Sequence, residues 1–482
     1  MIVAAHGKQD LTTGPIGSTL LAFALPTLGS NILQSLNGSI NAIWVGRFLG
    51  ETALAATSNA NIIMFLMFGA VFGFGMAATI LIGQSWGRGD VDGARRAFGT
   101  ALGLVFLISL VVAAAGWAFS HDILVLLATP GEALPLADDY LRVIFLSLPA
   151  AMMLVLAMMG LRGSGDSLTP LWFMVVAVVI DTGLNPLLIL GIGPFPRMGI
   201  AGSAMATLIA NAVAVIGLAA YMNRRDLPIR LKRAEMRYLI PARDLSRTIV
   251  AKGLPIGAQM LVISVSGLAM VGLVNREGVA TAAAYGVTLQ LWAYVQMPAL
   301  AIGAAVSAMA AQNIGAGLWD RVGRITGIGI LYNLAMTGVM VVAVLWFDRT
   351  VLGLFLGEDS AAIPIASRIG LIATWSFIFF GATMVLFGTV RANGAVWGPL
   401  VILVVALLPV RLGIAALLRP ALGIDALWWS FPASSFVNLA GAVLYYRYGP
   451  WRRGRILAQP PEACDEQAQS VAEPAGMLRP AK

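Results

Sequence analysis

The stretch Leu171-Trp172-Phe173-Met174-Val175-Val176-Ala177-Val178-Val179-Ile180-Asp181-Thr182-Gly183-Leu184-Asn185-Pro186-Leu187-Leu188-Ile189-Leu190-Gly191-Ile192 decides how this chain folds. Apart from Asp181, Thr182 and Asn185 it is continuously apolar. About 20 such residues cross a hydrocarbon core of roughly 30 Å. The run therefore reads as a membrane-spanning helix, and Asp181 is the only acidic side chain deep inside such a run. A carboxylate at that depth costs roughly 2.5–3.5 kcal/mol on insertion scales, which marks it as a functional-site candidate.

The rest of the composition agrees. Of 482 residues, 59% are hydrophobic and 11% charged, against about 25% charged in a soluble domain. Breaks at charge clusters and Gly/Pro turns predict twelve spans, near 16–45, 53–83, 98–119, 139–160, 170–192, 199–222, 253–275, 280–310, 325–347, 369–390, 398–418 and 425–446. The fold class expected is an all-α membrane protein of two six-helix lobes. They are bounded as a tail 1–15, an N-lobe 16–222, a linker 223–252, a C-lobe 253–447 and a disordered tail 448–482, rich in Pro, Ala, Glu and Gln from Gln459 on. No cleavable leader is expected, because the first ten residues are mixed polar.

The net charge of +8 resembles a nucleic-acid binder until the charges are placed. With the N-terminus cytoplasmic, the inside segments hold 23 of the 31 Lys and Arg and the outside segments seven, leaving Arg411 within a span. This obeys the positive-inside rule, so both termini are expected in the cytoplasm and the chain in the inner membrane. The basic block 223–252 is a topology signal, and no nucleic-acid partner is expected. The lone Cys464 excludes a disulfide framework, and His6 and His121 lie outside the apolar runs, so no metal site is expected.

The two halves repeat. Gln84, Gly87, Gly89, Asp92 and Arg96 recur 228 residues later as Gln312, Gly315, Gly317, Asp320 and Arg324. Arg162, Gly165 and Pro170 recur 229 later as Arg391, Gly394 and Pro399, and Leu25-Pro26 as Leu254-Pro255. Each unit has an even number of spans, so the copies share orientation and their pseudo-two-fold axis lies along the membrane normal, as in transporters built from parallel repeats.

These motifs resemble the MATE family (multidrug and toxic compound extrusion) over nearly the whole membrane portion. The carrying residues are Ala24-Leu25-Pro26, Val45-Gly46-Arg47 and Gly83-Gln84-Ser85-Trp86-Gly87, then Leu161-Arg162-Gly163-Ser164-Gly165-Asp166-Ser167-Leu168-Thr169-Pro170. Gly199-Ile200-Ala201-Gly202-Ser203-Ala204-Met205-Ala206-Thr207 and Gln312-Asn313-Ile314-Gly315-Ala316-Gly317 complete the set. The resemblance implies a twelve-helix efflux transporter that exchanges incoming H⁺ or Na⁺ for an outgoing, usually cationic, organic molecule. The chain departs from the pattern in places. Asn41 stands where many relatives carry Asp on the first helix. Asp181 then Asn185 reverses the Asn-then-Asp order of the fifth helix. Ile263 and Phe380 stand near the acidic positions of other relatives, so a C-lobe ion site of that kind is expected to be missing.

The residues around Asp181 allow this chemistry. Asp181 and Asn185, four apart, share a helix face. Pro186 lacks an N–H, which frees the Thr182 carbonyl and predicts a broken helix there. Ser30, Gln34, Asn37 and Asn41 form one polar stripe on the first span. The stripe is expected to face Asp181 with Thr207 nearby, or else to serve plain interhelical hydrogen bonding. The ion-coupling set is thus Asp181, Asn185, Asn41 and Thr207, with H⁺ favoured over Na⁺. Gln34, Asn37, Tyr285, Trp292 and Phe380 are the candidate cavity residues, the aromatics suiting either stacking on organic cations or interface anchoring. Methionines cluster in span four (Met152, Met153, Met158, Met159) and suit a promiscuous site or gap filling.

Other classes fare worse. The phosphate-binding loop needs Ser or Thr after a Gly-Lys pair, and here Gly7-Lys8 precedes Gln9, which disfavours an ATP-driven pump. An intramembrane enzyme needs a catalytic constellation that one Asp does not supply. A lipid-linked saccharide flippase would need several cavity arginines, and only Arg411 lies at depth. No cofactor is expected beyond the coupling ion. The expected partners are small organic cations and the lipid bilayer, and a monomer is expected.

Overall fold

The computed structural model describes residues 10–126, 129, 131–357 and 360–453, and every regular element among them is helical. The N-lobe comprises α1 (Ile16–Leu49), α2 (Glu51–Gly87), α3 (Val91–Ala118), α4 (Leu134–Gly163), α5 (Leu168–Leu190) and α6 (Ile200–Arg224). The C-lobe comprises α7 (Arg243–Asn275), α8 (Val279–Gly315), α9 (Trp319–Trp346), α10 (Ala362–Ala373 with Ser376–Ala392), α11 (Trp397–Leu417) and α12 (Asp425–Tyr448). Among the described residues nine helices are long and apolar enough to cross a membrane, ten with the bent pair of α10 taken as one. The other two are α2 and α12. In α12, Ser430, Ser434, Ser435 and Asn438 dilute the apolar run, and all four are buried against protein.

Several boundaries differ from the hydropathy pattern for physical reasons. α7 begins at Arg243 rather than near 253, because a helix continues past its apolar run when polar turns can be solvated. The preceding linker is strapped down. Its 3₁₀ helix Arg233–Leu239 lies on α3, where the Tyr238 hydroxyl donates to Asp92 at 2.9 Å and Arg95 pairs with Glu235 at 2.9 Å. The eighth span is interrupted at Gln296, just before Pro298, and α10 bends by 44° between its two parts. Pro186 does not break α5, which runs on to Leu190. In α11, Pro409 removes a backbone donor, and a π turn over Ala406–Val410 absorbs the defect.

The described parts of the terminal segments are ordered. Residues Pro450–Arg453 form a 3₁₀ turn in which Trp451 is buried, stacks on Tyr446 and accepts from Asn393 Nδ2 at 2.8 Å. Order therefore extends into the tail expected to be disordered from 448, while 454–482 lie outside the described residues. Leu11 is likewise buried, with its carbonyl accepting from Asn313 Nδ2 at 2.9 Å.

The lobes meet at the end of the bundle that carries the linker. Gln84 Nε2 of α2 donates to the Ala392 carbonyl at 2.7 Å, and its repeat partner Gln312 Nε2 of α8 donates to the Gly163 carbonyl at 2.9 Å. The two bonds are pseudo-symmetric copies, since 163 and 392 are also equivalent positions. Beside them the backbones touch. A Cβ on Gly87 would lie 1.9 Å from the Gln312 oxygen, and one on Gly315 would lie 2.1 Å from the Gln84 oxygen. Further along, a Cβ on Gly73 would lie 2.2 Å from the Gly253 oxygen. Only glycine permits approaches this close, so these positions set the inter-lobe distance. On α1, Leu20, Phe23 and Ala24 pack against Ile302, Ala305 and Met309 of α8, which seals this end with apolar contact.

Candidate functional site

Asp181 faces inward from α5 and is 1% exposed. Its carboxylate accepts from Asn37 Nδ2 at 2.7 Å and Asn41 Nδ2 at 2.9 Å, both on α1, and from the Thr207 hydroxyl of α6 at 3.2 Å. Helical spacing explains the arrangement: Asn37 and Asn41 are four apart, so both amides reach one carboxylate across the α1–α5 contact. Because an ionised carboxylate only accepts, each amide must present its N–H₂. Asn41 Oδ1 then accepts from Asn185 Nδ2 at 3.0 Å. This orientation leaves Asn37 Oδ1 and Asn185 Oδ1 buried without a donor. The carboxylate thus lines up a set of oxygens that lacks positive charge.

A cavity of about 140 Å³ opens beside it, lined by Gln34, Asn37, Met158, Met174, Asp181, Thr207 and Asn211. Drug-sized sites measure roughly 300–1,000 Å³ and a water occupies about 30 Å³. The volume therefore fits a charged head group or a few waters rather than a whole large ligand. Its chemistry is that of a cation site, with one carboxylate and several amide and hydroxyl groups. Among the described residues no salt bridge reaches Asp181, and no cluster of metal-ligating side chains occurs.

The structure thus brings Asp181, Asn185, Asn41, Thr207, Asn37 and Gln34 together. Ser30, the first member of the α1 stripe, instead bonds the Pro26 carbonyl at 3.0 Å. The C-lobe aromatics do not join the cavity. Tyr285 and Trp292 are each 3% exposed and pack with Trp428, Phe431 and Phe377 in the C-lobe core. The Trp292 N–H is satisfied by Thr374 at 2.9 Å. Phe380 packs against Phe377 and the cluster around Met384 and Phe387. Helices wide enough to bury an aromatic ring on several sides turn it into core, which position in sequence does not reveal. Of the span-four methionines, Met158 alone enters the lining, and Asn211 enters it unforeseen. Asn211 lies four residues past Thr207, a spacing that could have found it.

The comparisons with known proteins bear on the family and the fold. The family model described as MatE matches residues 26–187 and again 255–417, one copy in each lobe. "Probable multidrug resistance protein YoeA" of Bacillus subtilis (strain 168) is 36% identical, over 93% of this chain and 97% of that protein. The chain belongs to the MATE family. It is a multi-pass membrane transporter of the multidrug efflux type. Other MATE relatives include "Probable multidrug resistance protein YpnP" of the same organism, 31% identical over 93% of this chain and 99% of that protein. A "FAD transporter" of Shewanella oneidensis is 26% identical over 91% of this chain and 96% of that protein. In fold, this MATE chain matches the outward-facing conformation of a multidrug resistance MATE family transporter of the MOP superfamily. The TM-score is 0.84, at 19% identity over 93% and 98% of the two chains.

Proposed function

We propose that this MATE transporter is a secondary antiporter that exports organic cations in exchange for H⁺ or Na⁺, with coupling through Asp181. The observation that carries this is the buried Asp181 carboxylate at a cavity wall, held by donors from α1 and α6 and lacking a cationic partner among the described residues. Ionised, it holds the positive head of a substrate. Neutralised by an incoming proton, or occupied by Na⁺ with the free Asn37 and Asn185 oxygens, it releases that substrate. Exchange is then competition for one charge, and linkage makes it reciprocal: the proton weakens substrate binding by the factor with which substrate weakens proton binding. Tyr140 of α4, an ionisable side chain within electrostatic reach, contributes no positive charge.

The basic loops support a cytoplasmic linker end. The glutamine contacts at that end then correspond to the state closed toward the cytoplasm, in which Asp181 is ready to discharge substrate outward and take up the coupling ion. The test is efflux of a fluorescent organic cation from proteoliposomes under a pH gradient and a Na⁺ gradient imposed separately. The expected result is gradient-driven transport that Asp181→Asn abolishes. Transport in the variant with an unchanged gradient dependence would sink the assignment.

A further inference from the structure

The segments that lead into α1 and α7 are equivalent by the 229-residue offset that pairs Pro26 with Pro255, yet they are built differently. Leu11 corresponds to Ile240, Gly14 to Arg243 and Ser18 to Arg247. Before α1 the apolar side chain is turned inward: Leu11 is fully buried and Asn313 holds its carbonyl. Before α7 it is turned outward, with Ile240 75% exposed. Arg243 and Arg247, where α1 has only glycine and serine, are exposed as well. Asp244 between them pairs with Arg96 of α3 at 3.4 Å, and among the described residues neither arginine makes an ion pair.

Helical spacing shows what the two arginines face. On α7 the side chains of Ile249, Ile256 and Met270 are buried against protein, while Val250, Leu254, Leu261, Val265 and Leu268 are exposed. At 3.6 residues per turn the exposed five fall within about 60° of one another, and Arg243 and Arg247 fall in the same sector. An exposed apolar stripe on a membrane helix faces acyl chains. From Val250 to Leu268 it rises about 27 Å, close to the roughly 30 Å of a hydrocarbon core. Arg247 therefore lies in the first turn beyond the acyl chains and Arg243 one turn further, at the depth of lipid phosphates. The backbone before them is fixed on α3, where a Cβ on Gly103 would lie 1.8 Å from the Leu239 oxygen and one on Gly99 2.7 Å from the Tyr238 side chain. A charge that only sets topology must lie on the correct side of the membrane, but it need not line up with the lipid-facing stripe.

We propose that Arg243 and Arg247 form an interfacial site for an anionic phospholipid, whose phosphate takes the two guanidinium groups while its chains run down the Val250–Leu268 stripe. Ile240 adds apolar contact at the glycerol end. Such a site needs only that α7 crosses the membrane and is independent of the coupling chemistry at Asp181. The test is native mass spectrometry of the full chain in detergent, titrated with dioleoyl phosphatidylglycerol. A parallel titration uses dioleoyl phosphatidylcholine, which has the same chains and no net charge. Each arginine near the membrane surface is worth about a fivefold preference, so wild type is expected to bind the first phosphatidylglycerol about thirtyfold more tightly. Arg243→Gln with Arg247→Gln is expected to remove that preference. Arg243→Lys with Arg247→Lys is expected to keep most of it, which guards against a folding defect. Arg224→Gln with Arg225→Gln removes as many exposed charges from the end of α6 and is expected to leave the preference within about twofold. Equal affinity of wild type for the two lipids overturns the site. So does an equal loss in both glutamine pairs, which would reduce the attraction to net charge alone.

Discussion

The two lobes descend from one pattern and have kept one half of it while changing the other. At the linker end they remain copies, with Gln84 and Gln312 reaching across to carbonyls of Ala392 and Gly163. At mid-depth they have opposite signs, with Asp181 among amides beside a cavity and Arg411 among serines and aromatic rings. The difference follows from what each region must do. Backbone contacts at a shared interface constrain both lobes at once, since a side chain larger than hydrogen at Gly87 collides with the partner lobe. A charge inside one lobe touches only that lobe's helices, so it can change without disturbing the interface.

The largest effect expected is that of Asp181→Asn. Loss of one member of a buried charge pair corresponds to about 2–5 kcal/mol, so cation export should fall on the order of 100-fold. Full activity in the variant would erase the functional contrast between the lobes. Next come Gly87→Ala and Gly315→Ala, whose new methyl groups would lie 1.9 and 2.1 Å from opposing carbonyl oxygens. Overpacking of this kind should disfavour the closed linker end by about 1–3 kcal/mol. Electron–electron distance measurements between labels replacing the exposed Arg96 and Arg324 should then shift to longer separations, and an unchanged distribution would refute the contact.

Gln84→Ala and Gln312→Ala sharpen the symmetry. Each leaves a buried carbonyl unsatisfied, for about 1–3 kcal/mol, and the two should move the same label distance by similar amounts. Strongly unequal shifts would mean that one lobe alone holds the closure. The smallest effect should be that of Arg368→Ala on the C-lobe surface. Its partner Asp425 starts α12, but the arginine is largely exposed, and solvent screens such pairs heavily. A resolvable drop in the thermal unfolding midpoint would show that α12 depends on the pair.

Much of the site was legible in one dimension. Asn37, Asn41 and Thr207 could be placed near Asp181 because a polar stripe at helical spacing inside a bilayer must face protein or water. Tyr285, Trp292 and Phe380 went astray because aromatic side chains at depth read alike whether they line a cavity or fill a core. Pro186 misled in the other direction: the expected break in α5 is absent, while Pro409, embedded in a similar apolar run, sits in a π turn.

Hydropathy, charge asymmetry and the repeat offset are properties of the chain itself. They alone determined that this protein crosses the membrane, that it is a tandem of two six-helix units, and that Asp181 lies at depth. What only the tertiary structure decided depends on distances between remote helices: the reciprocal glutamine contacts, the entry of Asn211 and Met158 into the cavity, and an arginine among serines and aromatic rings. Burial is a property of sequence patterns, but partnership is a property of packing, because a side chain's partner comes from whichever helix the fold sets a few ångströms away.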